Sequence, residues 1–143
     1  MSWMITDQSS LTGTCYIEVL PGKFRGECWN TSSVYFREEH FGIFEPTIMR
    51  HCPKHDHYSF TDIGKPIWEK ILIDLQRIHQ QCSETLQLSE IRDDVSLYFF
   101  TSNSRNTDSE SETMRSLKQT LNEFIRWTRL KLENHQTIAV LGM

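Results

Sequence analysis

The sequence lacks any long apolar run. No stretch of its 143 residues approaches the roughly 18 consecutive apolar residues that a membrane-spanning helix needs. Residues 1–11 do not combine a basic start with an apolar segment, so no secretory signal peptide is expected. The cytoplasm is therefore the predicted compartment, and no membrane partner is expected.

The spacing of the glycines and cysteines argues against phosphate-binding loops and against sites built from paired cysteines. The six glycines are scattered and never form the G-x-G-x-x-G or G-K-[ST] spacing of a phosphate-binding loop. Cys15, Cys28, Cys52 and Cys82 lack paired spacing. In a cytoplasmic protein such thiols are expected to be reduced and buried.

Positive charge is scarce until the end of the chain. Against a net charge of −4, residues 1–60 carry −2, residues 61–112 carry −5 and residues 113–143 carry +3. A general nucleic-acid-binding protein needs a cationic footprint, so nucleic acid is not a predicted partner. The acidic middle fits a protein that binds a basic partner, and it equally fits a solvated surface with no partner.

Two stretches have the periodicity of long amphipathic helices. The first spans residues 65–83, opens at Lys65-Pro66 and repeats apolar residues on one face from Ile67 to Cys82. The second spans residues 109–134 and has a similar face from Met114 to Leu132. Both faces are predicted to pack on a core.

Four segments are predicted as strands. Residues 15–20 and 24–29 flank a Pro-Gly turn and are predicted to form a β-hairpin. Residues 95–100 are rich in aromatic and β-branched side chains. Thr137–Leu141 has no polar alternation, which predicts a central strand that is covered on both faces.

The remaining segments connect these elements. Residues 1–13 are predicted to be a loosely held leader whose Trp3 can dock onto the body of the domain, and residues 53–64 are predicted to be a polar loop. Glu45-Pro46 can open a short helix, because proline is tolerated in a first turn. The predicted fold is therefore α+β: one domain over residues 1–143, with a small, mostly antiparallel sheet of about four strands packed against two long amphipathic helices.

Trp127 and Leu130 lie roughly opposite the core face of the last helix. Another loop or the N-terminal segment can cover them, since isolated apolar residues near the surface are common. Alternatively they form a partner-binding or dimer patch, because tryptophan is enriched at interface hot spots. Both interpretations are open at this point.

Residues 51–57 contain the densest group of candidate metal ligands and nucleophiles. His51, Cys52, His55 and His57 lack the second, widely separated ligand pair of a finger-type zinc site. Cys52 and His55 form a nucleophile–base pair close in sequence, but no motif indicates an oxyanion hole beside them. No catalytic residue, metal or cofactor is assigned, and a metal-dependent hydrolase built on this cluster is kept as an alternative.

Several stretches, about a third of the chain in all, form a recognisable combination. They are Phe44-Glu45-Pro46, Pro53-Lys54-His55-Asp56-His57-Tyr58-Ser59-Phe60-Thr61-Asp62-Ile63, Trp68, Phe124-Ile125-Arg126-Trp127 and Ile138-Ala139-Val140-Leu141-Gly142. Together these stretches resemble one group of bacterial immunity proteins. Immunity proteins of this kind are small cytosolic antidotes encoded beside the toxins of contact-dependent growth inhibition and related polymorphic systems. The resemblance implies a non-enzymatic protein that binds a cognate toxin domain, often a basic nuclease, and covers its active site.

An antidote to a basic nuclease would present carboxylates in place of substrate phosphates, together with a few aromatic anchors. The predicted partner-binding residues are Glu38, Glu39, Asp56, Asp62, Asp93, Asp94 and Trp127. A homodimeric scaffold or regulatory subunit that uses the Trp127 face is the first alternative function. The metal-dependent hydrolase is the second.

Overall fold

An antiparallel sheet and a set of helices share one core in this α+β chain. The computed structural model describes residues 2–84 and 110–142. Within these ranges the elements are a 3-10 helix (Gln8–Ser10), β1 (Tyr16–Pro21), β2 (Val34–Arg37), α1 (Glu38–Phe41), α2 (Glu45–His51), β3 (Phe60–Gly64), α3 (Lys65–Glu84), α4 (Glu110–Leu132) and β4 (Thr137–Leu141). The strand order is β2-β1-β4-β3, and every neighbouring pair is antiparallel. The predicted α+β class and the four-stranded antiparallel sheet are confirmed.

β4 occupies the centre of the sheet, as its uninterrupted apolar sequence predicts. Val140 lies opposite Val19 of β1, and Ile138 lies opposite Ile63 of β3. Residues 138–141 are each at most 2% exposed. The indole Nε1 of Trp68 in α3 donates a buried 3.0 Å hydrogen bond to the carbonyl of Ile138, which ties that helix to the central strand.

α3 and α4 provide most of the helical layer, and their bounds agree with the predicted ones to within about two residues wherever the structure describes them. The buried face of α4 includes Phe124, whose ring lies 4.4 Å from that of Phe44. In addition to the two predicted long helices, the fold contains two short helices, α1 and α2, which precede α3 in the chain. α2 begins at Glu45-Pro46, as predicted.

The predicted hairpin between residues 15–20 and 24–29 is wrong, because β1 pairs with β2 instead. Residues 22–33 form a loop against the outer face of the sheet, away from α3 and α4, and we call this segment the outer loop. The backbone N–H groups of Trp29 and Asn30 donate to the buried carboxylate of Glu18 at 2.6 and 2.9 Å. Gly26 and Trp29 also adopt φ values of 91° and 67°, which a β-strand does not allow.

The loop predicted at residues 53–64 is only partly correct, because β3 forms over Phe60–Gly64. In this strand Thr61 and Ile63 are buried, and Phe60 and Asp62 are exposed. The predicted strand at residues 95–100 lies outside the described residues.

The N-terminal segment is held more firmly than predicted. Ile5 exchanges two 2.8 Å backbone hydrogen bonds with Tyr35 of β2. The N–H of Trp3 donates to Oγ1 of Thr120 at 2.8 Å, and the indole stacks on the ring of His40 with a centroid separation of 4.6 Å. The docking of Trp3 is therefore confirmed.

The cysteines divide into two pairs by exposure. Cys52 and Cys82 are buried, as expected, whereas Cys15 and Cys28 are exposed, and all four are free thiols. Burial raises the pKa of the Cys82 thiol to about 11. Among the helices in the described ranges, none combines the length and apolar character that crossing a bilayer requires.

Gly142 lies directly after β4, against the turn that precedes β3, and its N–H donates to the Ser59 carbonyl at 2.9 Å. A Cβ at this position would lie 2.5 Å from the carbonyl oxygen of His57 and 2.7 Å from that of Ser59. We expect Gly142→Ala to lower the free energy of unfolding by about 1–3 kcal/mol, because two backbone segments would have to move apart. Urea unfolding monitored by tryptophan fluorescence measures this change.

Gly64→Ala is the matched control in the same sheet. Its Cβ would meet the Pro66 ring carbon at 3.7 Å, which is an ordinary contact. Equal losses of stability in the two variants would contradict the steric explanation.

Candidate functional site

Residues 56–62 place two carboxylates and two exposed aromatic rings at one edge of the sheet. Among the described strands β3 pairs with β4 alone, so this stretch lies at the sheet edge. Tyr58 is 73% exposed and Phe60 is 48% exposed, and Asp56 and Asp62 are exposed beside them. We call these four residues the acidic edge. Large exposed aromatic side chains next to carboxylates are typical of a surface that binds another protein.

The turn before β3 fixes the first half of the acidic edge. Oδ1 of Asp56 accepts a 2.7 Å hydrogen bond from the N–H of Tyr58, and the hydroxyl of Ser59 donates to the carbonyl of Asp56 at 3.0 Å. A carboxylate that bonds to the backbone two residues on is the usual way in which Asp closes a turn. The turn thus fixes the backbone of Tyr58, and its side chain extends from this turn into solvent.

The outer loop supports the second half of the acidic edge. Oδ1 of Asp62 accepts a 3.0 Å hydrogen bond from the N–H of Phe24, and the Phe24 ring meets the Phe60 ring edge-on at 5.0 Å. Asp62 is nevertheless exposed. Its carboxylate is therefore held by the outer loop and remains accessible at the surface.

His57 joins this turn to two helices. Its Nδ1 lies 2.5 Å from Oε1 of Glu45 in α2, and its Nε2 lies 3.3 Å from Oε2 of Glu38 in α1. Behind it, Nε2 of the buried His55 lies 3.5 Å from Oε2 of the same Glu45, and Nδ1 of His55 lies 3.3 Å from the Thr61 hydroxyl. We call His57, Glu45 and Glu38 the histidine clamp.

The histidine clamp favours the protonated form of its imidazole. Burial lowers the pKa of His57, but the hydrogen bonds and charges of Glu45 and Glu38 together outweigh burial and raise its pKa above the ordinary histidine value. A protonated ring donates from both nitrogens, so one cation can satisfy both carboxylates. The clamp therefore links α1, α2 and the turn that carries Asp56 and Tyr58.

The structure brings three of the predicted partner-binding residues to one region. Asp56 and Asp62 belong to the acidic edge, and Glu38 reaches it through His57. Glu39 follows Glu38 on α1. Trp127 lies instead on α4, half-buried against the core, with its ring stacked on Phe124 at 6.2 Å. Asp93 and Asp94 lie outside the described residues.

Sequence reasoning missed the two aromatic members of the acidic edge. Tyr58 and Phe60 fell in a segment that was predicted to be a loop, because its first seven residues are polar and include a proline. The alternation of exposed and buried residues from Phe60 to Ile63 is the period-two signal of an edge strand. That signal was present in the sequence but was only four residues long.

The cluster at residues 51–57 is divided between two places. Nε2 of His51 bonds to Oδ2 of Asp74 in α3 at 2.6 Å, and Arg50 joins the same oxygen at 3.2 Å. His55 and His57 turn toward Glu45 instead. Cys52 is buried and meets His55 through a backbone hydrogen bond, in which the N–H of His55 donates to the Cys52 carbonyl at 3.0 Å. Within the described ranges no group of three or more His, Cys, Asp or Glu side chains is arranged to share a metal ion.

The histidine clamp predicts a pH dependence of stability. Because folding raises the pKa of His57, its contribution is complete below the ordinary histidine pKa of about 6.5 and is lost as pH rises through the higher folded pKa. We expect wild-type protein to lose more stability than His57→Gln between about pH 6 and pH 9. Urea unfolding across this range measures the difference.

His79→Gln provides a comparison of opposite sign. Burial first, and then the nearby charge of Lys118, lower the pKa of His79, so its contribution is present at high pH and is lost as pH falls. Parallel pH profiles for wild-type protein and His57→Gln would rule out the clamp as a proton-linked contact.

Comparison with known protein families, with curated proteins and with solved structures finds no match for this chain. The resemblance to immunity proteins in residues 44–68 and 124–142 therefore stays a prediction.

Proposed function

We propose that this chain is an immunity protein that binds a basic toxin domain, of the nuclease type, and covers its active site. The observation that carries the proposal is the acidic edge, where the carboxylates of Asp56 and Asp62 flank the exposed rings of Tyr58 and Phe60. Both carboxylates were expected at the interface on sequence grounds. The proposal assigns no bond-making or bond-breaking step to the chain.

The two kinds of side chain have different roles in the proposed complex. The carboxylates occupy positions that substrate phosphates take on a basic nuclease, and they accelerate the encounter through long-range attraction. Tyr58 and Phe60 become desolvated on contact and contribute most of the affinity, as aromatic anchors commonly do. Glu38 and Glu39 extend the negative region onto α1, and Asp93, Asp94 and Trp127 remain proposed contacts on sequence grounds alone.

The surface is organised before the partner arrives, which supports a binding function. Asp56 is engaged by the Tyr58 backbone, Asp62 by the Phe24 backbone, and the intervening His57 by Glu45 and Glu38. Side chains that are already ordered lose less conformational entropy on association. A rigid acidic surface of this kind suits an antidote that must bind its toxin quickly and hold it.

Four buried residues of the resembling stretches, Phe44, Trp68, Phe124 and Ile138, pack together in the core. Phe44, Trp68 and Phe124 are fully buried, and Phe124 contacts both of the other rings, at 4.4 and 6.1 Å. Ile138 accepts the indole hydrogen bond of Trp68. The resembling stretches therefore include both this core and residues 56–62, which contain the whole acidic edge.

The charge of the acidic edge is tested with the double variant Asp56→Asn/Asp62→Asn. Asparagine keeps the side-chain oxygen that accepts the backbone hydrogen bonds, so the turn and the outer loop should stay in place. We expect the association rate constant for the purified C-terminal domain of the protein encoded immediately upstream to fall roughly tenfold at low salt, with a smaller change in dissociation. Surface plasmon resonance at several salt concentrations measures both rates.

Glu27→Gln/Glu112→Gln is the matched control, because it removes the same charge from exposed positions on the outer loop and near the start of α4. An equal decrease in both double variants would mean that net charge, not the acidic edge, steers the partner. An upstream product that neither binds the wild-type chain nor is neutralised by it would overturn the proposed function.

The aromatic anchors are tested with Tyr58→Ala. We expect this variant to weaken binding of the same toxin domain by roughly 30-fold or more, mainly through faster dissociation, because a hot-spot aromatic contributes about 2 kcal/mol or more. Trp127→Ala tests the aromatic residue that was predicted from the sequence to bind the partner. A loss of affinity in Trp127→Ala but not in Tyr58→Ala would move the interface to α4.

A further inference from the structure

A groove with an apolar floor runs between α3 and α4 on the side away from the sheet. It forms a cavity of about 320 Å³ lined by Lys65, Glu69, Leu72, Ile73, Arg129, Leu132 and Glu133. Leu72 and Leu132 form its floor and are 4% and 3% exposed. We call this feature the helix groove.

The helix groove lies beside two exposed aliphatic side chains. Ile73 on α3 is 68% exposed and Leu130 on α4 is 55% exposed. Ile73 lines the groove, whereas Leu130 follows Arg129 on α4 and is not part of the lining. The apolar surface of the groove therefore extends from its buried floor to an exposed side chain on α3.

The charges around the helix groove are balanced in number and alternate in sign. Lys65 and Glu69 lie one turn apart on α3, and Arg129 and Glu133 lie one turn apart at the end of α4. The two helices run antiparallel: the N–H of Lys65 donates to the carbonyl of Gln136 just beyond α4, whereas Lys118 near the start of α4 acts on His79 near the end of α3.

Antiparallel packing therefore places Lys65 across the groove from Glu133, and Glu69 across from Arg129. Signs alternate both along each helix and across the groove. Among the ion pairs of the described residues, none involves any of these four side chains. A partner surface with the matching pattern can therefore pair with these four side chains without breaking an ion pair between described residues.

We propose that the helix groove binds the same groove of a second copy of this chain, related by a two-fold axis. A two-fold rotation parallel to the helices brings Lys65 opposite Glu133 and Glu69 opposite Arg129 in both directions, which gives four attractive pairs. The same surface patch is then self-complementary, as a two-fold interface requires. Ile73 of each copy covers the apolar floor of the other.

The charge pattern favours this occupant over a strongly basic or strongly acidic protein. Two cations and two anions produce little net attraction for a partner of one sign, whereas they match their own arrangement in every pair. The acidic edge lies on β3 and the preceding turn, not on the helix groove. The pairing of two copies is therefore independent of the proposed toxin binding.

Sedimentation equilibrium of the full chain tests the proposal. We expect wild-type protein to show a reversible monomer–dimer equilibrium below about millimolar concentration. Lys65→Glu/Arg129→Glu makes all four groove charges negative and turns four attractive pairs into repulsive ones, so we expect the dimer dissociation constant to rise roughly 100-fold. Glu69→Lys/Glu133→Lys makes all four positive and should have the same effect.

Mixing the two double variants is the decisive measurement. An all-negative groove facing an all-positive groove restores four attractive pairs, so the mixture should form a heterodimer although neither variant dimerises alone. Lys23→Glu/Arg25→Glu on the outer loop is the control with the same change in net charge, and it should dimerise like wild-type protein. Ile73→Ser should weaken the dimer without altering the charge pattern.

Three results would overturn the proposal. The first is a wild-type chain that stays monomeric throughout the concentration range, which would leave the helix groove to a different protein. The second is a dimer that the groove variants do not weaken, and the third is a mixture that fails to form the heterodimer. Thermal unfolding of each variant by circular dichroism shows that it is folded before its mass is interpreted.

Discussion

The structure depends on the pairing of β4 with two strands that are far from it in sequence. β4 aligns residues 138–141 with β1 and residues 137–141 with β3, and no tight turn connects any of these three strands. The hydrogen bond from Trp68 to Ile138 closes a further separation of 70 residues. Forming such contacts costs chain entropy, because distant parts of the chain must be brought together. The cost is smaller when one of the pairing strands is already held near its final position. α4 provides that placement, because its buried face packs on the same core and four residues connect it to β4.

The acidic edge depends on the same central strand. Ser59 accepts a hydrogen bond from Gly142 at the end of β4, and the intervening space admits no side chain at that glycine. From the other side, the histidine clamp attaches the turn to α1 and α2. The exposed residues are thus carried by a turn that is bonded to the last residues of the sheet and to two helices. This arrangement explains how a short polar segment presents Tyr58 in one position while leaving its ring in solvent.

Local patterns predicted those parts of the fold that are determined locally. The apolar stripes of α3 and α4 and the continuous apolar run of β4 were sufficient to identify them, because burial of one face or of both faces leaves a repeating mark in the sequence. Of the two strands of the predicted hairpin, residues 15–20 form β1 as expected, and only the strand at residues 24–29 was mispredicted. Residues 24–29 look like the second half of a hairpin, but the buried carboxylate of Glu18 accepts the N–H groups of Trp29 and Asn30 and so draws the segment into a loop. A hydrogen bond between residues eleven or twelve positions apart leaves no periodic signal. Asp56 and Asp62 were identified by charge, whereas Tyr58 and Phe60 became visible only once β3 was known to lie at the sheet edge.

The acidic edge and the helix groove differ in their electrostatics, and this difference suits them to different partners. The acidic edge has carboxylates of one sign around exposed rings, so its field extends outward and attracts a basic surface from a distance. The helix groove has equal numbers of both signs in alternation, so its field decays quickly and its charges act only at contact. Long-range attraction suits an encounter with a different protein, and contact complementarity suits the recognition of an identical one. Because α3 and α4 carry one surface and β3 with its turn carries the other, a dimer through the groove would present two acidic edges, each available to a separate copy of the proposed basic partner.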